Sequence, residues 1–253
     1  MSHRLIQMQN VRKTYRSRDK EVLAVSDVTM DVDEGEFVSL VGPSGCGKTT
    51  VLKILADLLK ADEGIVKIGS SEIPFVHGRD VGMVFQQPLL LKWRKIIDNV
   101  LLPAEILGLP LKQSRERAGD LLNMVGLAGF ANRYPYELSG GMQQRASIAR
   151  ALIHDPRLVL MDEPFGALDA LTREKMNLEM LRIWQESRKT IIFITHSIQE
   201  AVLLGSRCAV LTAAPARMAE YFSIDLPYPR TLEMKTGEAF GVYARKVYKL
   251  LDM

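Results

Sequence analysis

Residues 42–49 have the types and the spacing of a phosphate-binding loop. They fit the pattern G-x-x-x-x-G-K-S/T and lie between an apolar run at 37–41 and a helix-like segment at 51–55, the strand-loop-helix order that such a loop requires. The glycines let backbone N–H groups approach an anion, Lys48 adds a positive charge, and Thr49 offers a hydroxyl to Mg²⁺. The alternative is a glycine-rich turn without a ligand. The candidate binding residues are Gly42, Pro43, Ser44, Gly45, Cys46, Gly47, Lys48, Thr49 and Thr50.

Two adjacent carboxylates follow an apolar strand later in the chain. Residues 158–161 are Leu, Val, Leu and Met, and Asp162 and Glu163 come next. Because side chains alternate at a strand end, the two carboxylates point in different directions. Asp162 can then join the ligands of Mg²⁺ while Glu163 faces a water molecule in line with a phosphate. The alternative is a strand that runs into an acidic loop, but the phosphate-binding loop upstream favours hydrolysis.

A third segment, Ser139 followed by Gly140 and Gly141, opens a predicted helix. Ser139 is placed to act as the N-cap, and the two glycines would leave the first N–H groups uncovered at the positive end of the helix dipole. Such a helix end can bind an anion. The alternative is an ordinary capped helix with no ligand.

Composition restricts the class of protein further. The chain has 253 residues, 47% of them apolar, and a formal charge of +3, which suits one globular domain with an inserted lobe and argues against a nucleic-acid partner. Cys46 and Cys208 do not have the spacing of a metal site, and a disulfide at Cys46 would obstruct the loop, so we expect a reducing cytosolic compartment. No apolar run approaches the ~18 residues that span a bilayer, and the N-terminus has no apolar signal core.

The elements that must position these motifs alternate between strands and helices. Unbroken apolar runs at 158–161 and 191–194 predict parallel strands covered on both faces, linked by a helix at 169–187. Between 87 and 155 apolar residues recur at helical spacing. The remaining predicted strands are at 4–11 and 28–33, an antiparallel edge, and at 65–68, 81–85 and 208–212.

This pattern predicts a single α/β domain over residues 1–253. Its catalytic core comprises residues 1–86 and 156–225, and residues 87–155 form an inserted helical lobe. The tail, 226–253, is weakly patterned from 227 onward.

Taken in chain order, the three motifs resemble the phosphate-binding loop, signature sequence and Walker B segment of ATP-binding-cassette (ABC) ATPases. The resemblance spans nearly the whole chain. It implies the P-loop NTPase fold, with a RecA-like parallel core, an antiparallel edge and an inserted helical subdomain. It also implies ATP as the ligand and Mg²⁺ as the cofactor.

The resemblance assigns roles to further residues. Tyr15 would stack on adenine, Gln86 would sense the γ-phosphate through Mg²⁺ and water, and His196 would be the switch histidine. Residues 165–169 would form the loop along a dimer interface. From the residues alone, Tyr15 could instead cap a turn, Gln86 could be a polar loop residue, and His196 could belong to the N-cap region of the next helix.

The resemblance also implies partners. In ABC ATPases the signature faces the phosphate-binding loop of a second subunit, so Ser139, Gly140 and Gly141 would complete that subunit's γ-phosphate site. Glu163 would polarise the attacking water, while His196 would orient the γ-phosphate. A membrane permease would dock near Leu89, Leu90 and Trp93, at the cytoplasmic face of the cell membrane, and a substrate-binding protein would act indirectly.

Within ABC ATPases the chain looks most like ATPase subunits of nitrate, sulfonate and taurine importers, on the basis of residues 87–94, 98–100 and 134–138. Residues 213–217 lack the Pro-Gly-Arg-Ile run of relatives, and importers of pyrimidine-type vitamin precursors remain an alternative. A soluble ABC ATPase of DNA repair or translation would need a coiled-coil insertion or a second cassette. A P-loop small-molecule kinase would need a substrate pocket and lid, but no Leu-Ser-Gly-Gly sequence.

Overall fold

Nine β-strands form one mixed sheet in the part of the chain that the computed structural model describes, residues 3–17, 20–69, 74–166 and 168–251. The strands are β1 (Arg4–Arg16), β2 (Glu21–Asp33), β3 (Phe37–Val41), β4 (Glu63–Ile68), β5 (Val81–Val84), β6 (Leu158–Asp162), β7 (Thr190–Thr195), β8 (Arg207–Leu211) and β9 (Ala216–Ser223). Across the sheet they follow the order β4-β1-β2-β9-β8-β3-β7-β6-β5. The helices are α1 (Lys48–Leu55), α2 (His77–Asp80), α3 (Ile96–Ile106), α4 (Leu111–Met124), α5 (Gly140–Leu152), α6 (Ala170–Ser187), α7 (Ile198–Leu204) and α8 (Glu238–Leu250), with 3-10 helices at Ala128–Phe130, Pro135–Glu137 and Leu232–Thr236.

Strands β3, β5, β6, β7 and β8 form the parallel part of the sheet. β3, β6 and β7 are buried along their whole length, as expected of parallel strands covered on both faces. Their carboxyl ends lie at one edge, where ligands bind in open α/β sheets. β3 leads into the phosphate-binding loop, while Gln86, Asp162 and His196 lie at or just after the ends of β5, β6 and β7. The fold therefore brings distant motifs to one place.

The antiparallel edge is longer than its sequence pattern predicted. β1 and β2 have 13 residues each, against predicted strands at 4–11 and 28–33, and β4 pairs with β1 on the outside. Their pairing is irregular between Met8 and Val11 and again near Lys13, and Asn10 has a φ of 47°. Because bulges interrupt the alternation of apolar and polar side chains, the sequence pattern ended before the strand did.

The inserted segment is helical, as predicted. α3, α4 and α5 lie within 87–155, and α3 packs against both of the others. Phe37 and Phe193 of the sheet belong to the same hydrophobic cluster as this lobe. None of the helices in the described ranges is long and apolar enough to cross a membrane. Apolar residues that recur at helical spacing in this segment are buried, among them Ala118, Leu121, Leu122, Val125, Ala146, Ala149 and Ile153.

The C-terminal part has more regular structure than its sequence pattern predicted. β9 had no predicted counterpart, and the prediction of a weakly patterned tail was wrong because this segment contains α8. α8 buries Phe240 and Val247 in the same cluster as residues of α7. Phe240, Ala244 and Val247 have the i, i+4, i+7 spacing of a helix, and that signal was missed.

Candidate active site

The carboxyl ends of the parallel strands surround a polar cleft of about 320 Å³. The phosphate-binding loop and the start of α1 contribute most of its lining. Gln86, the second residue after β5, and Glu163, the first residue after β6, contribute the rest. Three segments that the sequence assigned to one site therefore meet in the structure. The lining residues are Ser44, Gly45, Gly47, Lys48, Thr49, Thr50, Gln86 and Glu163.

The phosphate-binding loop holds its lysine in a defined position. Lys48 is buried, and its Nζ donates hydrogen bonds to the carbonyl oxygens of Gly42 at 2.8 Å and Pro43 at 2.9 Å. An ammonium group has three donors, so one remains for an anion. Gly47 has a φ of 121°, and a Cβ there would lie 2.6 Å from the carbonyl oxygen of Ala24, so only glycine fits. α1 begins at Lys48, which directs its free N–H groups toward the loop.

Asp162 lies beside the Thr49 hydroxyl, which donates to its Oδ2 at 2.9 Å. Burial raises the pKa of the Asp162 carboxyl above its ordinary value, and the charge of Glu163 adds to this rise. A divalent cation would offset both effects by binding the ionised form. Mg²⁺ takes one or two protein oxygens of this kind and fills its other positions with water and phosphate oxygens. The residues present therefore fit an Mg²⁺ site.

Glu163 contacts two other predicted site residues through one carboxylate oxygen. Its Oε2 accepts a hydrogen bond from Nε2 of Gln86 at 3.3 Å and lies 3.5 Å from Nδ1 of His196. Asp162 and Glu163 thus contact different groups, as the alternation predicted. The φ of Glu163 is 45°, a left-handed conformation that is costly for a residue with a side chain and is concentrated at functional sites.

Two other predicted residues lie close to the loop. Tyr15 belongs to β1 and its hydroxyl is 3.3 Å from Oγ1 of Thr50, while 41% of its surface is exposed, enough for a flat ligand to stack on it. Cys46 is buried within the loop, and this burial raises the pKa of its thiol. Cys46 and Cys208 are both free and buried.

The glycine-rich helix start lies outside this cleft. Ser139 caps α5, with its Oγ accepting from the N–H of Met142 at 3.3 Å. Ser139, Gly140 and Gly141 are not among the described residues that line the cleft of their own chain. A Cβ at Gly141 would lie 2.8 Å from Cδ2 of Leu168, which places the helix start against the loop at 165–169. Ala167 of that loop lies outside the described residues.

Sequence reasoning missed an ionic contact that joins this loop to the histidine turn. Arg173 donates to the carbonyl oxygens of Phe165 at 3.2 Å and Leu168 at 2.9 Å, and its Nε lies 3.9 Å from Glu200. Glu200 accepts in turn from the hydroxyl of Thr195, the residue before the histidine. An arginine and a glutamate on exposed-looking helix positions carry no signal of such a contact in the sequence.

Comparison with known proteins also indicates an ABC ATPase. The ABC transporter family model matches residues 25–166. A taurine import ATP-binding protein of Rhizobium johnstonii is 44% identical over 89% of this chain and 84% of its own length, and one of Ruegeria pomeroyi is 46% identical over 82% and 76%. An uncharacterized ABC transporter ATP-binding protein of Methanocaldococcus jannaschii is 45% identical over 97% of this chain and 91% of its own length.

Solved structures agree with the fold. A dimeric ATP-binding cassette in a post-hydrolysis state, bound to ADP and Pi, superposes with a TM-score of 0.78 at 34% identity, covering 88% of this chain and 100% of that one. The cbiO1 protein of Clostridium perfringens, part of an ABC transporter complex, superposes with a TM-score of 0.76 over 98% of this chain and 96% of its own. At 22% identity the second match supports the fold alone.

Proposed function

Because the chain belongs to the ABC transporter family and is an ATP hydrolase coupled to transport, we propose that it energises a bacterial importer of taurine, related sulfonates or nitrate. The observation that carries the hydrolytic part is the position of Glu163, whose carboxylate contacts both Gln86 and His196 beside the phosphate-binding loop. The taurine import relatives support the choice of substrate class.

The loop and its surroundings bind ATP in this proposal. Backbone N–H groups of residues 42–50 and the Lys48 ammonium bind the phosphates, and the exposed ring of Tyr15 stacks on the adenine. Thr49, Asp162 and Gln86 would hold Mg²⁺, which supplies charge neutralisation at the phosphate oxygens when bound. Burial and the nearby charge of Glu163 raise the pKa of the Asp162 carboxyl, and a bound cation would counter both effects.

Glu163 and His196 perform the chemical work of hydrolysis. The Glu163 carboxylate accepts a hydrogen bond from the attacking water and aligns it, while Gln86 and His196 restrict the carboxylate to one position. The exposed imidazole of His196 can then donate toward the γ-phosphate, where negative charge accumulates during transfer.

Each cleft is completed by a second copy of the chain. Ser139, Gly140 and Gly141 lie outside the cleft of their own chain and present a capped helix end that can bind an anion. In a head-to-tail dimer, two ATP molecules lie between the loop of one protomer and this helix end of its partner. The dimeric state of the related cassette bound to ADP and Pi supports this arrangement.

A permease docks on the helical lobe. An apolar groove of about 340 Å³ lies between β5, α3 and α5, and we call it the docking groove. Its apolar lining includes Met83, Phe85, Leu89, Leu102, Ile106 and Leu107. Leu89 and Ile106 are exposed, as is Trp93 a short distance along the same loop, whereas Leu90 packs partly against the lobe. Exposed apolar side chains that line a concave surface favour a partner helix.

This arrangement implies a peripheral protein at the cytoplasmic face of the membrane, in contact with the permease and linked only indirectly to a substrate-binding protein. Gln86 and Leu89 are three residues apart, so the loop that reaches the Glu163 carboxylate also lines the docking groove. A movement of this loop would then couple ATP hydrolysis in the cleft to the permease in the docking groove.

The decisive experiment reconstitutes the chain with candidate permease and binding-protein partners, in vesicles that contain ATP. We expect saturable uptake of taurine, another sulfonate or nitrate, and ATP hydrolysis that rises when the binding protein and its substrate are added. Uptake of a pyrimidine-type vitamin precursor instead would replace the substrate class. Hydrolysis that does not respond to the permease would refute the transport function and favour a soluble ATPase.

A further inference from the structure

The loop between the cleft and the docking groove is tied to α5 by two side chains. Nε2 of Gln144 donates to the carbonyl oxygen of Phe85 at 2.9 Å. The Arg150 guanidinium donates to the carbonyl oxygens of Pro88 at 2.7 Å and Leu89 at 2.8 Å. α5 therefore holds the backbone on both sides of Gln86.

Burying the Gln144 side chain costs free energy, which indicates that the hydrogen bond donated by its amide contributes something that offsets this cost. Its residue surface is 1% exposed, and its Oε1 is buried without a hydrogen-bond partner in the described part of the chain. A buried acceptor left unpaired destabilises a fold, and an apolar side chain of similar shape would avoid that cost. The hydrogen bond to Phe85 is what an apolar residue cannot supply.

Arg150 is a partly buried cation on the same helix. Burial lowers the pKa of its guanidinium, and in the described ranges no carboxylate lies within ion-pair distance of it. Its carbonyl partner Leu89 has a φ of 46°, a conformation that leucine rarely adopts and that surrounding contacts must maintain. Arg150 contributes one of those contacts.

We propose that Gln144 and Arg150 are positioning residues that fasten residues 85–89 to α5, so that Gln86 moves together with the helix that Ser139 caps. The inference rests on the proposed function, because it gives Gln86 a role at the γ-phosphate and Ser139 a role in the partner's site. When α5 moves as the second copy closes over ATP, the two side chains draw Gln86 with it and change its 3.3 Å contact with Glu163.

The test uses Gln144→Met, which keeps the shape of the side chain and removes both the donor and the unpaired acceptor. We expect a melting temperature within about 2 °C of wild type and unchanged ATP binding, because the fold loses one hydrogen bond and one unpaired group together. We expect kcat to fall roughly 10-fold, since misplacement of a catalytic group by a fraction of an ångström reduces the rate strongly. Hydrogen exchange of the backbone amides in 85–91 should become faster.

Two further variants make the result specific. Arg150→Met should give the same changes, and Arg150→Lys, which retains a donor, should restore part of the activity; this pair also serves if Gln144→Met does not fold. Asn177→Leu is the matched control, because Asn177 on α6 is equally buried and its Oδ1 is also unpaired. It should leave both kcat and loop exchange unchanged.

A double-mutant cycle separates this inference from the function on which it rests. If Gln144 acts through Gln86, adding Gln144→Met to Gln86→Ala should reduce kcat by less than 2-fold more. Multiplying effects, or unchanged loop exchange in both Gln144→Met and Arg150→Met, would overturn the positioning role. Wild-type hydrolysis by Gln86→Ala alone would instead remove Gln86 from the proposed mechanism, while faster loop exchange in the variants would still establish the attachment.

Discussion

The ATPase cleft and the docking groove lie on either side of one loop but are built from opposite kinds of side chain. The cleft gathers Lys48 from the start of α1 and Asp162 and Glu163 from the end of β6, where their charges have defined partners. The groove is lined mainly by apolar side chains, and Ile106 is 74% exposed. The first region is suited to chemistry on a charged ligand and the second to recognition of an apolar surface.

This difference shows how the molecule separates two tasks while keeping them coupled. A substitution in the cleft should abolish hydrolysis and leave the groove able to bind its partner. A substitution in the groove should spare hydrolysis by the isolated subunit and reduce transport. Among the described residues, the loop at 85–93 is the segment that belongs to both regions.

The largest effect is expected from Glu163→Gln, which tests the cleft alone. Glutamine keeps the size of the side chain but cannot accept a proton from water, so kcat should fall at least ~10²-fold, the usual scale for loss of a general base. ATP should still bind and should now hold two protomers together, which light scattering would detect. Binding to the permease should be unaffected.

Glu116→Gln is a suitable control, because Glu116 is an exposed residue of α4 and its replacement should change neither hydrolysis nor dimerisation. Near-normal hydrolysis by Glu163→Gln would contradict the assignment of Glu163 as the residue that aligns the attacking water. The cleft would then lack the catalytic carboxylate that distinguishes it from the docking groove.

A mixture of two inactive variants tests whether the cleft is shared between protomers. Lys48→Ala damages the loop and Ser139→Arg damages the helix end, so each homodimer should be inactive. A mixed dimer keeps one intact site, formed by the loop of the Ser139 variant and the helix end of the Lys48 variant. At equal mixing, roughly a quarter of wild-type hydrolysis should return if the sites act independently, because half of the dimers are mixed and each has one site.

Hydrolysis by the mixture should be measured together with the number of ATP molecules bound per dimer. One bound ATP without hydrolysis would mean that the site forms in trans but that both sites must act together. A mixture that neither hydrolyses nor binds ATP in this way would contradict trans assembly and confine the cleft to a single chain.

The two regions also differ in how well the sequence predicted them. The cleft follows from short motifs because a loop between a strand and a helix, and a carboxylate pair at a strand end, have local geometry that spacing determines. The divergence of Asp162 and Glu163 was predicted in this way. The left-handed backbone of Glu163 was not, because it depends on the loop that follows the strand rather than on residue type.

The docking groove depends on tertiary packing, which periodicity does not describe. The resemblance to ABC ATPases predicted a permease contact near Leu89 and Leu90, but only the structure shows that Leu89 lines the groove with Ile106 of α3 while Leu90 packs inward. The attachment of Gln144 to Phe85 is of the same kind. A hydrophobic pattern predicts which face of a helix is buried, not which backbone carbonyl lies opposite.

Substitutions in the docking groove should have an intermediate effect. Leu89→Asp places a charge on the apolar surface at a left-handed position that aspartate tolerates, and Ile106→Glu does so on α3. Each should leave ATP binding and basal hydrolysis within about 2-fold of wild type and reduce reconstituted transport roughly 10-fold, the scale of losing one buried anchor at an interface.

Trp93→Ala, at the margin of the groove, should act in the same direction, because Trp93 is 74% exposed in the isolated subunit and available to a partner. Val242→Glu is the matched control, an exposed apolar residue of α8 on another surface. A cysteine at Leu89, in a chain without Cys46 and Cys208, should cross-link to a cytoplasmic segment of the permease. Wild-type transport by all three groove variants would place the permease elsewhere.

The smallest effect concerns stability and returns to the cleft. The pKa of the Asp162 carboxyl is raised in the folded chain, chiefly by burial, so its ionised form is less favourable in the folded state than in the unfolded one. Its contribution to the free energy of unfolding therefore decreases as pH rises from its unfolded pKa of 3.8 through the folded value, and the full cost is present above the folded pKa. Asp162→Asn removes that cost, and the asparagine Oδ1 can still accept from Thr49. Without nucleotide, the melting temperature of Asp162→Asn at neutral pH should therefore be higher than that of wild type. The gain should shrink toward pH 4, and MgATP should stabilise the variant less than wild type because a cation ligand is missing.

Thermal scans between pH 4 and 8, with and without MgATP, would check all three outcomes. A lower melting temperature of Asp162→Asn at pH 7 without nucleotide would contradict the prediction, because it would mean that the ionised carboxylate stabilises the folded chain.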